Sequence, residues 1–414
     1  MGKRLFRPPA TTRIERGLMA SMIILFPLEG NFVVAGYTLT FILFGLLTAF
    51  AVVRHPVTLL RTAFHPVFLI MYLFLITSLA VESLHLNSNY DVIRRTAQSF
   101  LGAIVLASYC RDPRALRIAI YSFLIMGGGM AIYLLLTVFG VLSVAVAPDL
   151  GTASMIRYSA FEGQYLRINL NGMAYLVGLG ATVSLVLWVT SQKISRRAFL
   201  MTAFLVCFTA AFLPMSRSGI FIVVVLCVSV LFLSGQFRLR TLILGLFVAL
   251  VILLVIPDVV FSRMSFTLEP MAVTGRPEGR AQVLLAAIGA VAEEPLIGVG
   301  TGNFRGAWGL WSDFYSPITG TISGAHNVLA QIIIYWGIMP CIIWMFMFLV
   351  LYRRLPQPFG ANRVSLFLFA LFVWILLMSM FGHTTYNKSY TLAMGTIIGF
   401  DQWIRSSIDW KSLR

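Results

Sequence analysis

Apolar runs of about 18–20 residues recur along almost the whole chain, and a helix of that length is what crossing a bilayer requires. The stretch "VSLFLFALFVWILLMSMF" (364–381) is 18 residues without a charge. In hydrocarbon every backbone N–H and C=O must be paired inside its own segment, so such runs can fold only as helices, each crossing or packing beside its neighbours. The composition agrees: 59% of the 414 residues are hydrophobic, 11% are charged, and the mean hydropathy is +0.89. Soluble domains carry about 25% charged residues. The expected fold class is all-α, a polytopic membrane protein with about 12 transmembrane helices. The spans are expected near 17–30, 34–53, 65–82, 92–110, 114–141, 170–190, 197–214, 217–234, 239–256, 326–352, 363–381 and 387–405. The basic start "MGKRLFRPPATTRIERG" lacks a small-residue cleavage site after the first apolar run, so that run is expected to be retained.

The organisation follows in three parts. Residues 1–256 hold helices 1–9 with short loops, 257–325 form one large loop on the outer side, and 326–414 hold helices 10–12 and a tail. The large loop contains "EGRAQVLLAAIGAVAEEP" (278–295), apolar but too short to span, which reads as a helix on the membrane surface. Lys and Arg set the orientation. With the N-terminus inside, the inner segments hold 21 of the 31 basic residues against 4 of the 15 acidic ones, and the outer segments hold 10 against 11. The net charge of +16 is therefore a topology signal and a match to anionic lipid headgroups. Nucleic acid is not the implied partner. Cys110, Cys207, Cys227 and Cys341 fall in or beside apolar segments without C-x-x-C spacing, so neither a disulfide nor a zinc site is expected.

Positive residues are disfavoured on the outer side, so each one there needs a reason. Arg217, in "LPMSRSGIFIVVV", heads a helix whose N-terminus faces outward, and Ser216, Arg217 and Ser218 would suit a phosphate. Snorkelling to headgroups is the other reading of Arg217. Arg276 and Arg280, in "TGRPEGRAQ", precede the surface helix and read equally as loop charges. His326 and Asn327 stand at the mouth of an apolar helix, where histidine is a poor cap but can exchange a proton near neutral pH. Asn171 and Asn387 head other helices and read as caps, Arg94 and Arg95 as headgroup or phosphate contacts, and His85 and His383 as reserves. "GVGTGNF" (298–304) is not G-x-G-x-x-G and follows no plausible strand, so a nucleotide partner is not expected. No metal-clamp pattern occurs, and no cofactor is expected.

Taken together, "SRSG" at 216–219, an arginine fifteen residues before "PLIGVGTGNF", and "AHN" at 325–327 resemble the O-antigen ligase and O-antigen polymerase superfamily of bacterial membrane glycan transferases. The resemblance covers about 169–337; the first five spans agree only in hydropathy and number. It implies that the family's S-R-S-G arginine is Arg217, its loop arginine Arg280, with Arg276 as a competitor, and its loop-end histidine His326. It further implies a donor glycan on polyprenyl pyrophosphate and an active site at the periplasmic face of the bacterial inner membrane, with both termini cytoplasmic. Two arginines would neutralise the departing pyrophosphate by bidentate contacts, and His326 would deprotonate or position the acceptor hydroxyl. A ligase acting on lipid A–core and a polymerase joining lipid-linked repeat units share these elements. A transporter of lipid-linked sugars is the reading from another class. It would show inverted repeats and charge at mid-membrane, which the sequence lacks.

Overall fold

The computed structural model describes residues 10–28, 33–34, 37–86, 88–138, 170–214, 216–236, 289, 292–301, 327–356, 362–381 and 388–406. Among them run thirteen α-helices: α1 (Arg13–Ile24), α2 (Leu39–Arg54), α3 (Pro56–Ala63), α4 (Pro66–Glu82), α5 (Asp91–Cys110), α6 (Pro113–Val138), α7 (Leu170–Val189), α8 (Ile194–Ala210), α9 (Arg217–Leu233), α10 (Val328–Trp336), α11 (Ile338–Arg354), α12 (Arg363–Phe381) and α13 (Lys388–Ser406). The described residues are otherwise nearly without strands: a two-residue ladder pairs Val33 with Thr38 and Val34 with Tyr37. The expected span at 239–256, most of the loop 257–325 and its surface helix lie outside the described residues.

Three helices, at Pro113–Thr137, Asn171–Val189 and Arg363–Phe381, are long and apolar enough to cross a membrane, and a fourth crossing results if α2 and α3 count as one bent span. Where the remaining expected spans fall on described residues, helices are present, with three differences. The first begins early and is short. A capping box of Thr12 and Glu15 starts α1 at Arg13, and Ile24 ends it after 12 residues, about 18 Å of rise. That is well under the roughly 30 Å of a hydrocarbon core. Second, α3 replaces an expected loop and turns 108° from α2. The corner is His55, buried, with Nε2 3.0 Å from Glu15 Oε1. Third, the expected span 326–352 is two helices, broken at Gly337, as described below.

The core is a bundle in which α5 packs most extensively on α13, α6 and α8 on α7, and α7 on α9. Helices α6 and α7 meet at Gly127 and Gly180, where a Cβ on Gly180 would sit 2.7 Å from the Gly127 Cα. Small residues of this kind let backbones approach where no hydrophobic gain drives helices together. A second centre is aromatic: Phe74 of α4 lies 5.7 Å from Trp336 and 5.0 Å from Trp344, which is 5.7 Å from Tyr390.

The two ends of the bundle differ in charge. One end, hereafter the basic end, carries Arg54, Arg61, Arg111, Arg114, Arg117, Lys193, Arg196, Arg197, Arg353, Arg354 and Arg363. There His65 and Arg354 bind Asp401 at 3.0 and 3.5 Å, and Thr62 donates to Gln402 at 2.9 Å. The opposite end carries those of the sequence-predicted residues that are described: Asn171, Ser216, Arg217, Ser218, Asn327, Arg94 and Arg95.

Candidate functional site

Helix α9 begins at Arg217 because Ser216 stops the preceding chain in an extended conformation and its Oγ accepts the Gly219 N–H at 3.1 Å. The same hydroxyl donates to Asn171 Oδ1 of α7 at 2.8 Å and lies 3.2 Å from the Ser218 hydroxyl. Ser218 in turn is 2.9 Å from the Tyr175 hydroxyl, which donates to the Phe381 carbonyl of α12 at 3.3 Å. A relay of neutral groups thus ties α7, α9 and α12 at the end opposite the basic one. Ser216 and Ser218 are both buried, whereas Arg217 between them is exposed. Successive helical residues diverge by about 100°, so hydroxyls that face the bundle force the guanidinium outward. Asn171 is thereby a cross-helix partner in the first turn of α7 and stands inside that helix rather than at its cap position.

The second predicted element is the head of α10. Asn327 is its N-cap, with Oδ1 accepting from Ala330 N–H at 3.0 Å. After nine residues the helix ends at Gly337, whose φ of 79° is a left-handed value that side-chain-bearing residues avoid. A Cβ there would also run into the Leu296 carbonyl. The longer helix α11 therefore starts at Ile338, and Asn327 heads a separate short helix. Most of α10 is buried, against α4, α11 and α12. Because α9 also packs on α12, the "SRSG" element and the helix headed by Asn327 flank one helix.

The "GVGTG" segment explains itself as the clamp on that break. Gly298 and Gly300 take φ of 59° and 78°. Val299 and Gly300 N–H donate to the last carbonyls of α10, Ile334 and Tyr335, at 2.9 Å each, and Ile338 N–H donates back to Pro295 at 3.0 Å. These bonds satisfy orphan groups at a helix end. Beneath them lies Glu82, the last residue of α4, fully buried. Its carboxylate accepts from Trp336 Nε1 at 2.8 Å, Thr301 Oγ1 at 2.7 Å, Thr301 N–H at 3.1 Å and Asn89 N–H at 2.9 Å. His85 adds a contact of 3.2 Å from Nε2 to the Ile297 carbonyl.

Arg94 and Arg95 both pair with Asp91 in the first turn of α5, at 2.6 and 2.7 Å, and both arginines are exposed. Arg276, Arg280, His326, His383 and Asn387 lie outside the described residues. The structure therefore brings Asn171, Ser216 and Ser218 together and keeps Arg94 and Arg95 on a helix apart from them. Two residues of this end went unremarked in the sequence. Tyr175 stands one turn after Asn171, an i, i+4 spacing that puts both on one helix face. Glu82 is a carboxylate closing an apolar run, and an ionisable residue there is a signal in itself.

Residues 202–345 match the family model described as O-antigen ligase. No curated protein matches the chain. The matched stretch includes the head of α9, the clamp at 294–301 and the break between α10 and α11, and it supports assignment to the O-antigen ligase superfamily of membrane glycan transferases.

Proposed function

Starting from a stretch of the O-antigen ligase superfamily in a membrane-helical chain, we propose that this protein moves a glycan from polyprenyl pyrophosphate to a sugar hydroxyl at the periplasmic face of the inner membrane. The acceptor in this reading is lipid A–core, making the reaction O-antigen ligation in lipopolysaccharide synthesis. The basic end is then cytoplasmic, with both termini, as the excess of Lys and Arg there favours, and about twelve helices cross the bilayer.

The observation that carries the reading is the head of α9 within the matched stretch. Arg217 is exposed at the end of the bundle poor in positive charge, and its neighbours Ser216 and Ser218 are buried and engaged in holding the helix. In the proposed reaction Arg217 and Arg280, with Arg276 beside it, bind the diphosphate. The serines fix the helix head and its positive dipole end against it. The acceptor oxygen, positioned or deprotonated by His326, attacks the anomeric carbon. The bond from that carbon to the pyrophosphate oxygen breaks as the new glycosidic bond forms, and the electron pair leaves on the pyrophosphate. Charge develops on that leaving group, and the guanidinium groups stabilise it most where water is excluded.

The test is a reconstituted reaction: purified protein, a defined pyrophosphate-linked glycan, and either lipid A–core or a second lipid-linked repeat unit as acceptor, with chelator present. Glycan on lipid A–core is the expected product, abolished by His326→Ala in protein that still inserts. Elongation on the carrier lipid instead would make the protein a polymerase, and movement of lipid-linked sugar without a new glycosidic bond would make it a transporter.

A further inference from the structure

At the basic end one buried cation has no answering charge among the described residues. Arg111, in the turn between α5 and α6, is 5% exposed, and its Nε and one Nη atom are buried without a hydrogen-bond partner. A guanidinium taken out of water without an acceptor is strongly disfavoured. The described carboxylates at this end are occupied elsewhere. Glu15 meets His55 and Arg54, and Asp401 meets His65 and Arg354. Asp112, next in sequence, accepts from the Thr11 N–H and hydroxyl and from the Arg114 N–H. The charge that acts on Arg111 is positive. Burial, and after it the charge of Arg61, push the Arg111 pKa down. Arg114 and Arg117 are exposed on the first turns of α6.

Arg61 belongs to α3, and α3 has the build of a helix lying in a membrane interface. Thr58 and Thr62 are buried on its inner side, and α3 packs against α5. On the other side Val57, Leu60 and Phe64 are 48%, 59% and 69% exposed, an apolar strip beside a basic residue. A molecule that meets both features has a negative head and a hydrocarbon tail.

We propose that Arg111 and Arg61 hold the phosphate of an anionic membrane phospholipid whose acyl chain lies along Val57, Leu60 and Phe64. The site is at the far end of the bundle from the glycan-transfer site and does not depend on that reading. Its role is to supply the missing counter-charge at the α5–α6 turn and to anchor α3 to the leaflet. Basic pockets between membrane helices recognise lipid head groups by this chemistry.

The experiment uses the full chain, delipidated in detergent and given dioleoylphosphatidylglycerol or dioleoylphosphatidylcholine. Lipid retention is read by native mass spectrometry and stability by thermal unfolding. The wild type is expected to retain phosphatidylglycerol in preference and to unfold at a higher temperature with it. Arg111→Met is expected to abolish both effects. Arg61→Gln, on the exposed side of α3 and so safe for folding, is expected to weaken retention about fivefold, the effect of one basic residue near an anionic surface. Arg197→Gln, an equal loss of charge elsewhere at the same end, is expected to change nothing. Equal retention of both lipids, or undiminished retention by Arg61→Gln, would overturn the proposal. So would inorganic phosphate that stabilises the protein as well as phosphatidylglycerol and displaces it, since the ligand would then be a soluble anion.

Discussion

At the basic end helices are joined by ions, and at the opposite end by neutral donors. Glu15 meets Arg54 and the His55 ring, and Asp401 meets Arg354 and the His65 ring, so each carboxylate ties separate elements and faces a guanidinium. Opposite them, Asn171, Ser216, Ser218 and Tyr175 form a relay of hydroxyls and an amide, and Glu82 is surrounded by N–H and O–H groups. The contrast shows how a bundle can stay closed at one end without structural arginines, which suits the diphosphate binding proposed for that end. Structural arginines there would compete with a ligand for charge, whereas hydroxyls fasten the helices and leave the field to residues such as Arg217. The buried carboxylate described at that end, Glu82, is screened from that field by its own donors.

The largest expected effect tests that carboxylate. Glu82→Ala leaves the buried Trp336 Nε1 without its acceptor, at about 1–3 kcal/mol, and unties the half-buried Thr301 and the Asn89 N–H from α4. A marked drop in the unfolding temperature, with loss of the α10–α11 geometry, is the expected outcome in a thermal melt. A silent Glu82→Ala would end the view of this end as a hub. Next, Arg217→Ala is expected to lower glycan transfer about a hundredfold, the scale of losing one charge-stabilising donor. Its unfolding temperature should hardly move, because the side chain is exposed; loss of stability in step with activity would place Arg217 among the fasteners instead. Gly337→Ala is expected to destabilise by roughly 1–2 kcal/mol from the left-handed backbone alone, and by more from the Leu296 carbonyl. Chemical denaturation measures it, with Gly128→Ala, open in surroundings, as the control. Ser216→Ala removes a cap worth about 1 kcal/mol, and with it the tie to Asn171.

The smallest effect sharpens the other side of the contrast. Burial favours the neutral form of Glu15, but hydrogen bonds from the Thr12 N–H and hydroxyl, then His55, outweigh it and hold the carboxyl below its ordinary 4.5. A depressed folded-state value means that the stabilisation is present above pH 4.5 and is lost as pH falls through that lower value. The unfolding temperature of the wild type should therefore fall more steeply with acid than that of Glu15→Gln. Parallel profiles would show that this ion cluster contributes nothing at the basic end.

Most of the helices were legible in the sequence because their cause is local. An apolar run of sufficient length in hydrocarbon has only the helix open to it, and the span expected from 217 does begin at Arg217. The bias of Lys and Arg toward one end was equally plain, since charge is read residue by residue. The "SRSG", "GVGTGNF" and "HN" elements could be picked out, but not what each side chain does. Three results needed the assembled chain. Gly337 breaks an apolar stretch that reads as continuous, because the Pro295–Gly300 segment, distant from α10 by some thirty residues of sequence, docks on the helix end and forces the turn. Ser216 and Ser218 turn inward while Arg217 turns outward, because Asn171 and Tyr175 of another helix receive the hydroxyls. Glu82 is buried because donors from three separate stretches converge on it. Local physics chooses the element, whereas the partners of a polar group in a membrane bundle come from elsewhere in the chain and are decided only when the helices pack.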